Sequence, residues 1–315
     1  MSKRYAIISD VHGNLPAFEK VLSDAKKRGV DEFIIAGDYC LSGPYPDGCI
    51  STLRSLENAH IIRGNEERYL ENLIGKDQST WTDGQMQISY WCYRNITPDN
   101  LDYLLSLPHT LDLDNGIHVA HSSTEFIGDC ELRLFCSNIV ADKYRGKEIT
   151  QEILHADIYQ LLEGDEQFKK NIEGLADGIY IFGHCHLQWH YKVPGRNILL
   201  VNSGSCGLPL DGIKNTIPYT ILTVDDNKEA SVEEIRLPFD MKAYADSIKE
   251  TTQYTEARVW TDVITKELLE SREHLLFFLI HTEEYAQRIG DPVRPFTVET
   301  WEKSYEEWDH QLSGA

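Results

Sequence analysis

The sequence lacks the cysteine pairs and the long apolar runs that mark disulfide-rich secreted proteins and membrane proteins. Its seven cysteines are odd in number and form no CxxC pair, which predicts no disulfide framework and a reducing compartment. The apolar run at residues 275–280 is far shorter than the roughly 18–20 residues that span a bilayer. The first ten residues, MSKRYAIISD, hold no apolar leader segment. We therefore expect a soluble, cytoplasmic protein with no membrane partner.

Positive charge is also scarce. The chain has 30 Lys and Arg against 51 Asp and Glu, a formal net charge of −21, which excludes a nucleic-acid-coating surface. A phosphorylated substrate would then need a local positive field, and a metal site is the obvious source. With 315 residues, 41% of them hydrophobic, the chain is long enough for one large domain with an extension, or for two domains.

Short β-branched runs alternate with amphipathic helical stretches in the first two-thirds of the chain, which predicts an α/β layered fold. Strands are expected at residues 5–8, 32–36, 60–63, 116–121, 178–182, 198–202, 219–224 and 231–236. Asn14 and Pro16 predict the start of a helix, and Gly29 predicts its end. A main domain at 1–237 is therefore expected, with helical insertions at about 66–110 and 124–176.

Strands stop at about residue 238, and a helical extension is expected at 238–315, with helices at about 241–252, 258–288 and 297–309. The run at 275–280 and the aromatic residues Trp301, Tyr305 and Trp308, at helical spacing, predict packing surfaces. Because these apolar stripes lie outside the predicted sheets, we expect the extension to pack on the main domain or on a partner copy, giving a homo-oligomer.

Polar motifs follow the predicted strands in five places: D-V-H at 10–12, G-D at 37–38, G-N-E-E at 64–67, A-H at 120–121 and G-H-C-H at 183–186. Loops at the carboxyl ends of strands carry the functional sites of α/β folds. Carboxylate, imidazole and amide side chains are ligands for divalent metals. Residues two apart in extended backbone project to the same side, so Asp10 with His12, and His184 with His186, are expected to converge.

This order of motifs resembles the calcineurin-like metallophosphoesterases, whose pattern is D-x-H, G-D, G-N-H-[ED], a single His and G-H-x-H. The resemblance spans residues 5 to about 210 and includes V-N-S-G-S at 201–205, similar to the family's V-N-P-G-S. It implies a four-layer α/β/β/α sandwich with a C-terminal helical extension. The layout is most similar to the bacterial phosphodiesterase branch, and within it to asymmetric diadenosine tetraphosphate hydrolases.

The family's roles, carried across, imply two divalent metal ions that share Asp38. One would be held by Asp10, His12, Asp38 and His186, and the other by Asp38, Asn65, His121 and His184. Two such ions roughly 3.5–4 Å apart activate a bridging water and neutralise phosphoryl oxygens. The ligand types suit manganese, iron, cobalt or zinc, and the sequence does not choose among them.

One position departs from the family. The histidine of G-N-H, which assists the leaving group or stabilises transition-state charge, is replaced by Glu66. Glu66 is interpreted either as a protonated acid with a raised pKa or as a solvated glutamate at a helix start. Arg63 is a candidate phosphate clamp or the partner of a surface carboxylate. Cys185, between two predicted ligands, is expected to be a core residue.

The sequence therefore predicts a metal-dependent hydrolase of phosphoester or phosphoanhydride bonds, with a nucleotide or dinucleotide polyphosphate as the expected substrate. A general phosphodiesterase and a protein phosphatase are the alternatives, the second disfavoured by the missing histidine. A non-catalytic metal-binding scaffold is the rival of another class. Retention of all seven expected ligands argues against it, because a scaffold would be free to lose them.

Overall fold

Two five-stranded sheets form the centre of the protein in the computed structural model, which describes residues 2–128, 140 and 143–312. The strands are β1 (Lys3–Ile8), β2 (Glu32–Ala36), β3 (Ala59–Ile62), β4 (Thr110–Leu113), β5 (Ile117–Ala120), β6 (Gly178–Phe182), β7 (Gln188–Lys192), β8 (Ile198–Ser203), β9 (Thr216–Val224) and β10 (Ala230–Pro238). The first sheet has the order β10-β9-β1-β2-β3, and the second has the order β4-β5-β6-β8-β7.

Each sheet has a parallel core of three strands. In the first sheet, β1, β2 and β3 are parallel, with Ile8 opposite Ile35, and β9 and β10 add antiparallel strands at one edge. In the second, β5, β6 and β8 are parallel, with Phe182 opposite Asn202, and β4 and β7 are antiparallel edges. The carboxyl ends of six parallel strands are therefore available for loops that carry a site.

The strands β4 and β7 were not predicted from the sequence. In β4 the residues alternate between exposed and half-buried, and in β7 polar and aromatic residues mix. Both are edge strands, so they lack the continuous apolar run of a strand buried on two faces. The eight predicted strands are all present, with ends that differ by at most three residues.

Helices cover the outer faces of both sheets. Those described are α1 (Leu15–Lys27), α2 (Pro46–Arg54), α3 (Glu67–Glu71), α4 (Gln87–Arg94), α5 (Pro98–Ser106), α6 (Thr124–Ile127), α7 (Gln151–Gly164), α8 (Glu166–Glu173), α9 (Met241–Ile248), α10 (Thr252–Glu256), α11 (Arg258–Glu270), α12 (Leu275–Ile289) and α13 (Val298–Leu312). The Asn14 side chain caps α1 by accepting the Ala17 N–H at 3.2 Å, as the sequence predicts. Part of the predicted insertion at 124–176 lies outside the described residues.

Alternation along the strands produces the layers. Ile7 of β1 packs between the sheets with Ile181 and Val201, whereas Ile8 packs outward with Phe18 of α1. A third buried cluster joins the outer face of the second sheet to α7 and α8. The predicted four-layer α/β/β/α sandwich is therefore confirmed.

The C-terminal helices pack on the helical layer of the first sheet. Tyr244 and Ile248 of α9 and Ile264 of α11 are buried in the same cluster as Ile8 and Phe18. The boundary between residues 237 and 238 stays a prediction.

The predicted helix at 258–288 is wrong, because the structure has two helices there. Ser271 has a left-handed φ of 53°, which ends α11. The buried Glu267 carboxylate then accepts the backbone N–H groups of His274 and Leu275 at 2.7 and 2.8 Å and so caps α12. A side-chain cap formed by a residue of the preceding helix is not visible as a spacing pattern.

The aromatic residues of the last helix are buried inside the chain. Trp301, Tyr305 and Trp308 of α13 pack around Phe278 of α12. A partner copy is not needed to cover them, and the predicted oligomer stays a prediction. Among the described residues, no helix combines the length and the apolar character needed to cross a membrane.

Candidate metal centre

All seven predicted ligand residues follow parallel strands, at the edge where the carboxyl ends of both sheets meet. Asp10 and His12 follow β1, Asp38 follows β2, Asn65 follows β3, His121 follows β5, and His184 and His186 follow β6. The structure brings the seven side chains together, and all except Asn65 and His184 are buried. We refer to these seven residues as the ligand cluster.

The candidate ligand atoms form two groups of three. Asp10, His12 and His186 form one group, and Asp38, His121 and His184 form the other, with the atoms of each group lying within 4.8 Å of one another. A third group, of His12, Asp38 and Glu66, overlaps the other two at the same spacing. Asp38 therefore lies close to ligand atoms on both sides of the cluster.

Hydrogen bonds fix which nitrogen of two imidazoles faces the cluster. His186 donates its Nδ1–H to the Leu208 carbonyl oxygen at 2.7 Å, and His121 donates its Nδ1–H to the Ala36 carbonyl oxygen at 2.6 Å. Their Nε2 atoms then face inward. His186 Nε2 lies 3.0 Å from His12 Nε2, and His121 Nε2 lies 3.1 Å from Asp38 Oδ2. This outer hydrogen bond is the arrangement that orients metal-ligating histidines.

Asn65 completes the second group. Its Oδ1 atom lies 3.0 Å from His121 Nε2. The Asp10 carboxylate is held from the other side, since it accepts the backbone N–H of His184 at 3.0 Å. Carboxylate, amide and imidazole atoms thus point toward common positions.

The buried carboxylates create a strong preference for positive charge. Burial alone would lower the pKa of His12, but Glu66, Asp38 and Asp10 outweigh it and raise that pKa to about 9. Asp38 and Asp10 likewise overcome burial and raise the pKa of His121 to about 10. The same field favours divalent cations among neutral imidazoles, so the donor set fits a metal centre.

The backbone at the cluster is strained. Asp10, His12, Asp38, His184 and His186 all have φ between 49° and 67°, and they are half of the ten non-glycine residues with positive φ in the described part of the chain. Left-handed backbone costs a non-glycine residue roughly 1–2 kcal/mol. Such strain persists where function requires a geometry.

The prediction of extended backbone at D-V-H and G-H-C-H is wrong. Asp10 with His12, and His184 with His186, were expected to converge because extended backbone places alternate residues on one side. Their backbone is left-handed instead, and hydrogen bonds between loops hold it. Asp10 N–H donates to the Gly37 carbonyl and His12 N–H donates to the Asp38 carbonyl, both at 3.0 Å.

Gly64 allows two loops to approach each other closely. A Cβ atom at Gly64 would lie 2.1 Å from Asp38 Oδ1, well inside any allowed contact. A side chain there would displace the Asp38 carboxylate. The glycine of G-N-E-E is therefore required by packing against Asp38.

Glu66 is buried, so its interpretation as a solvated glutamate at a helix start is wrong. Its Oε2 atom lies 3.1 Å from His12 Nδ1 and accepts the Leu41 N–H at 3.2 Å. Burial raises the pKa of Glu66, while the neighbouring His12 opposes the rise. The carboxylate is engaged with His12 and Leu41.

Glu67 is a functional residue that the sequence reasoning missed. This fully buried carboxylate accepts backbone N–H groups from Asp38 at 3.2 Å, Tyr39 at 2.8 Å and Gly64 at 2.7 Å. Burial, with Asp38 nearby, raises the pKa of Glu67 to about 7. Glu67 joins the loops that carry Asp38 and Asn65. Its place in G-N-E-E was the available signal.

Arg63 pairs with a surface carboxylate, which is one of the two roles predicted for it. Its Nη1 lies 3.3 Å from Glu71 Oε2, and its Nε donates to His109 Nε2 at 3.1 Å. Cys185 packs in the apolar cluster of the second sheet, as expected for a core residue.

A cavity of about 260 Å³ opens on the His12 and His186 side of the cluster. Helices α11 and α12 of the extension supply its apolar wall, which includes Trp260, Leu275 and Leu279. The Trp260 indole N–H has no hydrogen-bond partner among the described residues. We refer to this space as the apolar pocket. Its wall was missed because it comes from helices about 200 residues away in sequence.

The comparisons with known proteins agree with this geometry. Residues 3–217 match the family described as calcineurin-like phosphoesterase. An uncharacterized protein of Methanocaldococcus jannaschii is 26% identical over 262 residues, which cover 78% of this chain and 91% of that protein. The crystal structure of a metallophosphoesterase from Sphaerobacter thermophilus is 22% identical, covers 85% of this chain and 99% of that one, and superposes with a TM-score of 0.57. This second likeness concerns the fold.

Proposed function

This chain belongs to the calcineurin-like phosphoesterase family and is a metal-dependent hydrolase, and we propose that it cleaves phosphoanhydride bonds of nucleotides or dinucleotide polyphosphates. The observation that carries the proposal is the position of Asp38, whose carboxylate forms one group of candidate ligands with His121 and His184 and another with His12 and Glu66. A shared carboxylate is what a two-metal phosphohydrolase requires.

We assign the ligands as follows. Asp10, His12, Asp38 and His186 would hold one divalent cation, and Asp38, Asn65, His121 and His184 would hold the other. When bound, two cations at these residues supply a nucleophile at neutral pH and neutralise charge on the phosphoryl oxygens. Manganese is the cation that we propose for testing, since the ligand types suit it.

The residues around the ligands hold them in place. Glu66 contacts His12 Nδ1 and orients that imidazole, while Glu67 fixes the loop of Asp38. Because Glu66 is committed to His12 and Leu41, it is a poor proton donor for a leaving group. The site therefore favours leaving groups that depart without protonation, such as those of phosphoanhydrides and activated diesters.

The apolar pocket supports a nucleotide substrate. Trp260 lines this pocket together with His12 and His186 of the ligand cluster, and its half-buried aromatic ring suits the flat surface of a nucleobase. The extension also lines the pocket with two carboxylates, and both accept backbone N–H groups: Glu267 from His274 and Leu275, and Glu273 from Leu276. Among the described residues, no lysine or arginine lines this pocket.

The test is a substrate screen with the full-length, manganese-loaded protein. We expect the highest kcat/KM for ATP or diadenosine tetraphosphate, next for bis-para-nitrophenyl phosphate, and the lowest for glycerol phosphate and a phosphopeptide. Preference for the phosphopeptide would indicate a protein phosphatase instead. Absence of turnover on every substrate, with two manganese ions bound per chain, would indicate a scaffold.

A further inference from the structure

A second pocket, of about 490 Å³, lies on the His121 and His184 side of the ligand cluster. It shares Asn65 and His184 with the apolar pocket, so the ligand cluster lies between the two. A phosphoryl group held at the cluster would have one pocket on each side. The substrate can therefore extend in two directions from the reacting phosphorus.

Hydrogen-bond donors dominate the lining of this second pocket. Besides members of the ligand cluster, two arginines, one further histidine and three hydroxyl groups line it: Arg63, Arg68, His109, Thr110, Ser122 and Thr124. One carboxylate, the exposed Glu125, also lines it. The chain as a whole has a net charge of −21, whereas in this pocket two arginines face one carboxylate, so the local charge is of the opposite sign. We refer to this space as the donor pocket.

Arg68 has an exceptional position among the arginines. It is the one arginine in the described part of the chain for which the structure shows no hydrogen-bond, ion-pair or aromatic partner for its guanidinium. Arg63, by contrast, is held by Glu71 and His109. An exposed arginine without a partner, beside a phosphoryl-transfer site, has its donors available for a ligand.

The first turn of α3 places Arg68 next to Asn65. Arg68 is the second residue of this helix, and its backbone N–H donates to the Asn65 carbonyl oxygen at 3.3 Å. Asn65 Oδ1 faces His121 in the ligand cluster, and Arg68 lines the donor pocket next to it. His109 accepts the Arg63 N–H at Nε2, which leaves its Nδ1 to act as a donor.

We propose that the donor pocket binds a second phosphoryl group of the substrate and that Arg68 is its specificity-determining residue. This inference rests on the proposed function and narrows its substrate class to compounds with at least two linked phosphoryl groups. Arginine forms two parallel charge-assisted hydrogen bonds with a phosphate, and Arg68 lines the pocket into which a second phosphoryl group would extend from the cluster. The net charge of the chain opposes the alternative of a nucleic-acid strand.

The test measures anion binding separately from turnover. The full-length, manganese-loaded protein is titrated calorimetrically with inorganic tripolyphosphate and with orthophosphate, at fixed free manganese. We expect Arg68→Ala to weaken tripolyphosphate binding by about 10- to 100-fold, the range for a lost charged hydrogen bond, and orthophosphate binding far less. Arg68→Lys, which retains a point charge, should recover part of the loss.

Lys76→Ala is the matched control, since Lys76 is an exposed cation just beyond α3 that lines neither pocket. It should leave both affinities and the turnover of bis-para-nitrophenyl phosphate unchanged. Equal loss of tripolyphosphate affinity in Arg68→Ala and Lys76→Ala would overturn the inference, as would no loss in Arg68→Ala. Absence of turnover of ATP, diadenosine tetraphosphate and bis-para-nitrophenyl phosphate in the unmodified protein would refute the proposed function instead, and calorimetry would still report on the pocket.

Discussion

The Glu67 carboxylate accepts the backbone N–H of Asp38 at 3.2 Å, and the same oxygen accepts the N–H of Gly64 at 2.7 Å. One buried side chain thus joins the loop after β2 to the loop after β3. One of these loops carries Asp38, whose carboxylate lies near candidate ligands of both groups. The position of Asp38 depends on Glu67.

Glu67→Gln should damage this arrangement, because an amide nitrogen would face backbone N–H donors. We expect a loss of about 1–3 kcal/mol in the free energy of unfolding, the cost of unsatisfied buried groups. Manganese affinity should fall roughly 10- to 100-fold, as for other partners of ligands. Chemical denaturation and manganese titration check both, with the exposed Glu57→Gln as control. Unchanged metal affinity would contradict the positioning role.

We expect Glu66 to determine which leaving groups the site accepts. The unmodified protein should hydrolyse nucleoside polyphosphates and nitrophenyl diesters much faster than glycerol phosphate, since Glu66 is committed to His12 and Leu41. Glu66→His should raise monoesterase activity relative to diesterase activity. Steady-state rates at saturating manganese measure the ratio. A native preference for glycerol phosphate, or a ratio that Glu66→His leaves unchanged, would refute this account.

Trp260 tests the assignment of the apolar pocket. Trp260→Ala should raise KM for a nucleotide roughly 5- to 100-fold, the range for a lost stacking contact with a base. KM for inorganic tripolyphosphate, which has no base, should change little. Equal changes in KM for the two substrates would show that Trp260 supports the fold of the site and does not contact a base.

A cluster of one carboxylate and two histidines lies away from the ligand cluster. Glu234 of β10 contacts His155 of α7 at 2.9 Å and His190 of β7 at 2.7 Å, and thereby ties the two sheets together. Burial would raise the pKa of Glu234, but the two histidines outweigh burial and lower it to about 2. The stabilisation is therefore complete above about pH 4.5 and is lost as the pH falls toward 2.

Glu234→Gln should lower the free energy of unfolding at pH 7 by about 1–3 kcal/mol. The difference from the unmodified protein should shrink below pH 4.5, because the Glu234 carboxylate then becomes protonated in the unfolded state while it is still ionised in the native state. Urea denaturation at several pH values measures it. The neighbouring, exposed Glu233→Gln is the control and should have little effect. A difference that stays constant from pH 7 to pH 3 would contradict the pKa shift.

The features that could be predicted from the sequence are those that depend on short segments of the chain. Continuous apolar runs such as Glu32–Ala36 predicted buried strands, and the polar residues after them were placed at one sheet edge because parallel strands end there. The surroundings of Glu67, Arg68 and Trp260 could not be predicted. Each depends on which distant backbone or helix lies against it, and local periodicity contains no such information.

The left-handed backbone at Asp10 and His186 could not be predicted from the sequence either. Aspartate and histidine tolerate positive φ better than branched residues, but nothing in D-V-H or G-H-C-H requires it. The loops adopt it because hydrogen bonds to neighbouring loops, such as Asp10 N–H to the Gly37 carbonyl, compensate for the strain.

Metal content tests the central claim, that Asp38 is shared by two cations, most directly. The full-length protein and Asp38→Asn are each loaded with manganese, dialysed and analysed by elemental mass spectrometry, with the exposed Asp99→Asn as control. We predict two manganese ions per chain in the unmodified protein and in Asp99→Asn, and one or none in Asp38→Asn, with turnover reduced more than 100-fold. Two tightly held ions and near-normal turnover in Asp38→Asn would contradict the account.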